Sequence, residues 1–214
     1  MPAARAQDVL HFWFGPRPYT PASVRHHSRT WFGAHAAPEL LPQVDELIRE
    51  RFGDTMRAAE KGELAGWESS PRRRLALIVL LDQFPRHCYR GTAQAYSRDH
   101  EALSLSVSGM LYGADAALDP LERIFFYMPL QHAESLDVQD ESVAAFRRLL
   151  DEAPGELQTT FKNALADAVE HREVIARFGR FPGRNEALGR KSSAEEADWL
   201  ASGGARFGSR SSGG

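Results

Sequence analysis

At 214 residues and 43% hydrophobic content, the chain is long enough to build one large domain around its own core. A formal charge of −3 at pH 7 argues against general attraction to nucleic acid or anionic membrane. Cys88 is the only cysteine, which excludes an internal disulfide and a cysteine-based zinc site within one chain. No apolar run approaches the roughly 20 residues that span a bilayer, and the N-terminus lacks a basic-then-apolar secretory pattern, so a cytoplasmic protein is expected.

In chain order, Val9, Leu10, Trp13 and Phe14 have helical spacing that stops at Gly15-Pro16, giving a first helix over 4–14. A second is predicted over 22–32, and a third over Pro38 to Phe52, whose stripe reads Leu40, Leu41, Val44, Leu47, Ile48 and Phe52. Asp54 is placed to cap the next short segment, which reaches Leu64 and Trp67. Ser70-Pro71 then opens a buried central helix that runs to Phe84-Pro85. Further helices are predicted over Gln94 to Leu111, with Ala102, Leu105 and Val107 inward, and from Asp119-Pro120 to Leu130, with Pro129 distorting the last turn.

Two long amphipathic helices follow over Asp137 to Leu150 and Glu156 to Phe178, and Ser193 with Glu196 forms a capping box for a short last helix. The expected fold class is all-α: antiparallel helical hairpins, about nine helices, in one domain over 1–208. The tail 209–214 is too polar to pack and is predicted to be disordered.

Two stretches share one layout. Leu75 to Gly91 and Ile175 to Asn185 each carry an apolar run ending in Phe-Pro, with arginines on both sides. Proline donates no backbone N–H and pushes the residue before it out of the α region, so each Phe-Pro is predicted to stop a helix. Lysine occurs only at Lys61, Lys162 and Lys191. A GC-rich coding sequence would produce the same bias, so only clustered arginines carry functional weight.

These motifs resemble a widespread, mostly bacterial family of unknown function. The resemblance covers nearly the whole chain and rests on Val9 to Gly15, Arg74 to Arg86, Tyr89-Arg-Gly-Thr92, Glu122 to Leu130, His132 with Glu134, Arg177 to Asn185, and Leu188-Gly-Arg190. It implies a tetratricopeptide-like helical stack and a shared pocket, with no settled activity. Similar proteins read Phe-Pro-Arg-Asn, Phe-Pro-His-Arg-Asn and Glu-His-Ser-Glu where this chain has His87, Gly183, and Gln131 with Ala133. If the missing groups take part in chemistry, this member has altered activity.

The candidate chemistry falls into three clusters. Asp82, Arg86, Tyr89 and Arg90 flank the first Phe-Pro, where the arginines either lock the helix end or clamp an anion. Arg123 and Tyr127 share a helical face, and His132 near Glu134 forms a candidate acid–base pair in which a carboxylate would raise the imidazole pKa. Arg180, Arg184 and Asn185 bracket Pro182-Gly183, where exposed backbone N–H groups and guanidinium groups suit an anion. His171 lies on an otherwise apolar helix face, either as a satisfied core residue or as a group that meets His132, Glu134 or the Arg180 loop.

No His-Glu-x-x-His, acidic calcium loop, phosphate loop or dinucleotide fingerprint is present, so neither metal nor cofactor is expected. Cys88 follows a helix end, where the dipole opposes a reactive thiolate. The expected partner is a small anionic molecule. A helical scaffold that takes an acidic peptide is the alternative, and neither nucleic acid nor membrane is expected.

Overall fold

Capping and proline chemistry set several of the helix starts in the computed structural model, which describes residues 4–31, 38–205 and 207. Asp119 accepts from Leu121 N–H at 2.9 Å, Glu122 reaches back to Asp119 N–H at 3.3 Å, and Pro120 occupies the first turn. The predicted box at Ser193 forms in the same way, Glu196 N–H donating to Ser193 at 3.1 Å while the Glu196 carboxylate accepts from Ser193 N–H at 2.7 Å. Ser70 is extended ahead of Pro71 but makes no side-chain cap bond.

Among the described residues there are nine helices and no strand, so the fold is all-α. They are α1 (Ala6–Phe14), α2 (Pro21–Trp31), α3 (Leu41–Glu60), α4, α5 (Asp99–Leu111), α6 (Pro120–Gln131), α7 (Leu136–Asp151), α8 (Gln158–Phe178) and α9 (Ala194–Ala201). Helix α4 is continuous over 71–88: an α segment Pro71–Ile78, a π-turn Val79–Gln83, and an α segment Phe84–Cys88. Phe32 and the tail 209–214 lie outside the described residues.

The central helix does not stop at Phe84-Pro85. Phe84 N–H donates to Val79 O, five residues back, and Tyr89 N–H donates to Pro85 O at 2.9 Å. The extra residue of the π-turn carries the carbonyl that the proline ring would strike out of its way, so the helix continues one turn further. At the second break the helix ends at the predicted Phe178, but Gly179 stops it and not Phe181-Pro182. Gly179 adopts φ 68° and donates to Ile175 O at 2.8 Å, closing α8 at Phe178, and Pro182 opens a short 3₁₀ turn, Pro182–Arg184.

Other boundaries also shift. Helix α3 runs through Asp54 to Glu60, so Asp54 lies inside the helix, where it pairs with Arg57. The segment predicted from Gln94 is a 3₁₀ turn, Ala93–Tyr96, and α5 starts at Asp99. Leu47 and Val107, expected to face inward, are exposed. Pro129 lies within α6, which continues to Gln131.

Helix α4 is the hub. Every residue from Arg74 to Pro85 is buried, and α1, α3, α5 and α6 pack around it. Trp13 of α1 sets its edge against Phe84 and Phe125, both at 5.6 Å, and accepts on its carbonyl from Trp31 Nε1 at 2.7 Å. A buried carboxylate, Glu122, ties the N-terminal loop to α6: it accepts from Tyr19 Oη at 2.8 Å, pairs with Arg72 at 3.2 Å, and also holds Arg17. Val174, Ile175 and Phe181 form a smaller apolar cluster with Phe178, Trp199 and Phe207.

Helices α5 and α6 meet at Gly109. A Cβ there would stand 2.5 Å from Phe126 Cζ and 2.9 Å from Arg74 Cδ, and Phe126 is fully buried. Alanine gains about 1 kcal/mol of helix propensity over glycine, whereas overpacking costs about 1–3 kcal/mol. Gly109→Ala is therefore expected to lower the denaturant midpoint despite its better propensity. A raised midpoint would show that the two helices separate without cost.

Candidate functional site

The π-turn of α4 delivers one carboxylate, Asp82, into the interior with no solvent exposure. Such turns recur at functional sites because they re-aim side chains that a regular helix would place elsewhere. His132, the residue that ends α6, donates Nδ1–H to Asp82 Oδ1 at 2.7 Å. Gln83 donates its side-chain N–H to Oδ2. Arg86 completes the shell, its Nη1 standing 3.3 Å from Oδ1 and also bonding the Asp82 carbonyl.

Arg86 extends the chain to Asp99 at the start of α5 through two parallel bonds, both 2.9 Å. Such bidentate pairing is stronger and more directional than a single contact. Arg184, from the 3₁₀ turn after Pro182, donates to Asp99 Oδ2 at 3.2 Å and to His132 O at 3.1 Å. The contacts therefore close a ring: His132, Asp82, Arg86, Asp99, Arg184 and back to His132. Its two guanidinium groups balance its two carboxylates. Arg184 is also sandwiched between aromatic faces, 4.3 Å from the Phe181 centroid and 4.8 Å from that of Tyr96, and its buried Nε–H finds no acceptor among the described residues.

Burial alone would push the Asp82 carboxyl up, but Arg86 and the His132 hydrogen bond outweigh it and hold the group below the usual carboxylate range. His132 moves the other way from the expectation that a carboxylate raises it: burial and the Arg86 charge together push it down. The imidazole is then neutral, with Nδ1–H on Asp82 and the lone pair on Nε2. His171 of α8 lies beside it, ring centroids 6.2 Å apart, and donates its own Nδ1–H to Asp167 O at 2.7 Å. Phe181 and Phe207 pack on the His171 ring at 5.6 and 3.7 Å.

Not all of the predicted residues gather here. The structure brings Arg86, His132, His171 and Arg184 together and distributes the others. Glu134 does not pair with His132; it accepts from Phe181 N–H at 2.8 Å and from Arg190 at 2.6 and 2.9 Å, stitching the second Phe-Pro loop to the end of α6. Arg180 is bidentate to Glu196 at 2.6 and 2.8 Å, and Asn185 donates to Ser192 and Glu196. Arg90 pairs with Asp45 at 3.2 Å beside His87, whose Nδ1 meets the same carboxylate at 2.8 Å, and Tyr89 is half-buried at the end of α4.

Arg123 and Tyr127 do share a face, Arg123 donating to the Tyr127 hydroxyl, which donates to Asp115 at 2.6 Å, with Glu152 as the second partner of the arginine. Sequence reasoning did not find Asp99 or Tyr96. Neither carries a local signal: an acid in a helix first turn and a tyrosine before it read as ordinary capping and surface chemistry. Cys88 is raised to about 11 by burial, so its thiol is not activated. Among the described residues no group of three or more metal-ligating side chains converges, and no helix is long and apolar enough to cross a membrane.

The buried histidines set the acid response. Burial and the neighbouring His132 lower His171 from an ordinary 6.5 to about 3, so the fold keeps it neutral while the unfolded chain protonates it. Between those values the unfolded state binds more protons, and stability falls as pH falls, by at most about 1.4 kcal/mol per pH unit for one such group. Asp82, held down, adds its loss only below about pH 4, whereas Asp167, pushed up to about 6 by burial and Glu170, takes up a proton in the folded protein and offsets part of the histidine slope. Chemical denaturation between pH 7 and 4.5 should show the net slope, and His171→Phe, matched to its aromatic neighbours, should reduce it and leave the shares of His132, His87 and His27, which burial also pushes down. An unchanged slope would mean that His171 takes a proton in the folded protein.

Comparison with known proteins adds two findings. The family model described as bacterial protein of unknown function (DUF924) matches residues 9–204. A solved structure of a protein of unknown function from Agrobacterium tumefaciens is 34% identical, with a TM-score of 0.74 over 92% of this chain and 97% of that one. No curated protein matches. A match over nearly the whole length, together with that likeness, makes this chain a member of the DUF924 family.

Proposed function

We propose that the protein binds a small anionic molecule beside the Asp82–His132 pair and moves a proton on it, with His132 as the base. The observation that carries this reading is the 2.7 Å contact of His132 Nδ1 with a fully buried carboxylate; burial and Arg86 push the imidazole down, which favours the neutral form and leaves Nε2 as a proton acceptor. Arg184 supports the anionic character of the ligand, because its buried Nε–H is a charged donor without a protein acceptor among the described residues. Arg86 has a different part: it is committed to Asp82 and Asp99 and holds the pair in place. Glu134 holds the loop that carries Arg184 and so positions that donor.

Arg90, Arg123, Tyr127, Arg180 and Asn185 each have carboxylate or hydroxyl partners in their own clusters and enter this reading as structural ties. A reducing, cytoplasmic setting accompanies the proposal, supported by the single cysteine.

The test is a thermal-shift screen of small carboxylates and phosphate esters on wild type, Arg184→Lys and His132→Gln. At a hundredfold excess over Kd a ligand stabilises by about 2.7 kcal/mol, or about 5–10 °C for a chain of this size. A hit should vanish in Arg184→Lys and persist in His132→Gln. Exchange of the ligand's acidic C–H into D₂O, followed by proton NMR, should slow by about a hundredfold or more in the histidine variant. Hits that ignore Arg184→Lys, or none at all, would sink the proposal, and a response confined to acidic peptides would move support to the tetratricopeptide-like scaffold.

A further inference from the structure

Away from the ionic ring, a cleft of about 510 Å³ opens between α2, α6 and α8, within the range of small-molecule sites. Its inner wall is buried and apolar: Trp31, Ile124, Phe125, Met128 and Phe146. That wall is rigid. The Trp31 indole is pinned by its bond to Trp13 O and by Phe125 at 4.8 Å. Opposite it, α8 presents small side chains, Ala164 and Ala166, which leave this space open among the described residues.

The rim is polar and unevenly charged. Arg25 projects from α2 and has no ion-pair partner among the described residues. Asp167 lies on α8, one turn before His171, and its carbonyl already holds His171 Nδ1–H. Apolar walls below a free guanidinium suit a molecule with an acidic head and a hydrocarbon or aryl body, because the head keeps a charged partner while the body leaves water.

We propose that this cleft is a binding site for an amphipathic monocarboxylic acid, its carboxylate on Arg25 and its apolar body against Trp31, Phe125 and Met128. Asp167 is the group that would oppose it. Burial and Glu170 push its carboxyl up to about 6, so it takes a proton readily and can then donate to the ligand. The site makes no use of Asp82 or His132, and its fate is separate from that of the proton-transfer reading.

The experiment uses decanoate, decanol and decylamine as probes below their micellar concentrations, with tryptophan fluorescence as the readout and calorimetry as the check. Decanoate should bind most tightly. Arg25→Gln should weaken it about tenfold, Asp167→Asn should leave it unchanged or tighten it, and His132→Gln should have no effect. Ala164→Leu should abolish binding by filling the cleft, with an unchanged thermal midpoint showing that the fold is kept. If Ala164→Leu fails to fold, Ala164→Val, a smaller filling change on the same face, should weaken decanoate binding while leaving the thermal midpoint unchanged. Absence of decanoate binding to wild type, equal binding of decanol, or preference for decylamine with Asp167→Asn as the weakening change would each overturn the proposal.

Discussion

The buried carboxylate of Asp82 constrains more of this protein than any other single group. An ionised carboxyl without solvent contact is stable only if most of its lone pairs are occupied, and here His132, Gln83 and Arg86 supply the donors. Each donor has its own place fixed in turn: Gln83 by the same π-turn, Arg86 by Asp99, His132 by the end of α6. The ring that results ties α4, α5, α6 and the Pro182 turn together through four charged side chains. Removing one member would strand a charge in the interior, which costs more than the contact itself contributes.

This requirement also explains why α4 tolerates its proline. A regular α-helix through Pro85 would lose a hydrogen bond and set the ring against the carbonyl four residues earlier. The π-turn resolves both, and the same extra residue rotates Asp82 and Gln83 relative to the face that Leu75 to Ile78 bury. A helix that ended at Phe84 would leave Arg86 on a loop, where it could not reach Asp82 and Asp99 together with such short bonds. The proline and the carboxylate thus depend on one local distortion.

The helical fold was largely legible. Helices α7 and α8 begin and end within two residues of the predicted bounds because long amphipathic stripes and their terminators are local features. The continuation of α4 was not legible, since proline signals a stop unless tertiary contacts stabilise a π-turn, and those contacts come from distant segments. The site followed the same division. Clustered arginines around the two Phe-Pro breaks pointed to Arg86 and Arg184, but their acids lie far along the chain: His132 is 50 residues from Asp82, and Arg184 is 85 from Asp99. Charge complementarity says that each arginine needs a carboxylate without saying which of 29 acidic residues it meets.

The preference for arginine over lysine acquires a physical reason at these positions, whatever its origin elsewhere. Arg86 spans two carboxylates with a planar fork, Arg180 grips Glu196 with two parallel bonds, and Arg184 stacks on two rings while donating sideways. A lysine ammonium has neither the flat face nor the fork, so it could serve one partner at each site but not the set. Arg25 differs from all of these in having no ion-pair partner among the described residues, at the mouth of an apolar cleft. The contrast separates arginines that build the fold from one that, among the described residues, pairs with no acid, a distinction that composition alone could not draw. Helix α8 joins the two regions physically: Asp167 borders the cleft, and one turn later His171 packs beside His132, its tautomer fixed by the Asp167 carbonyl.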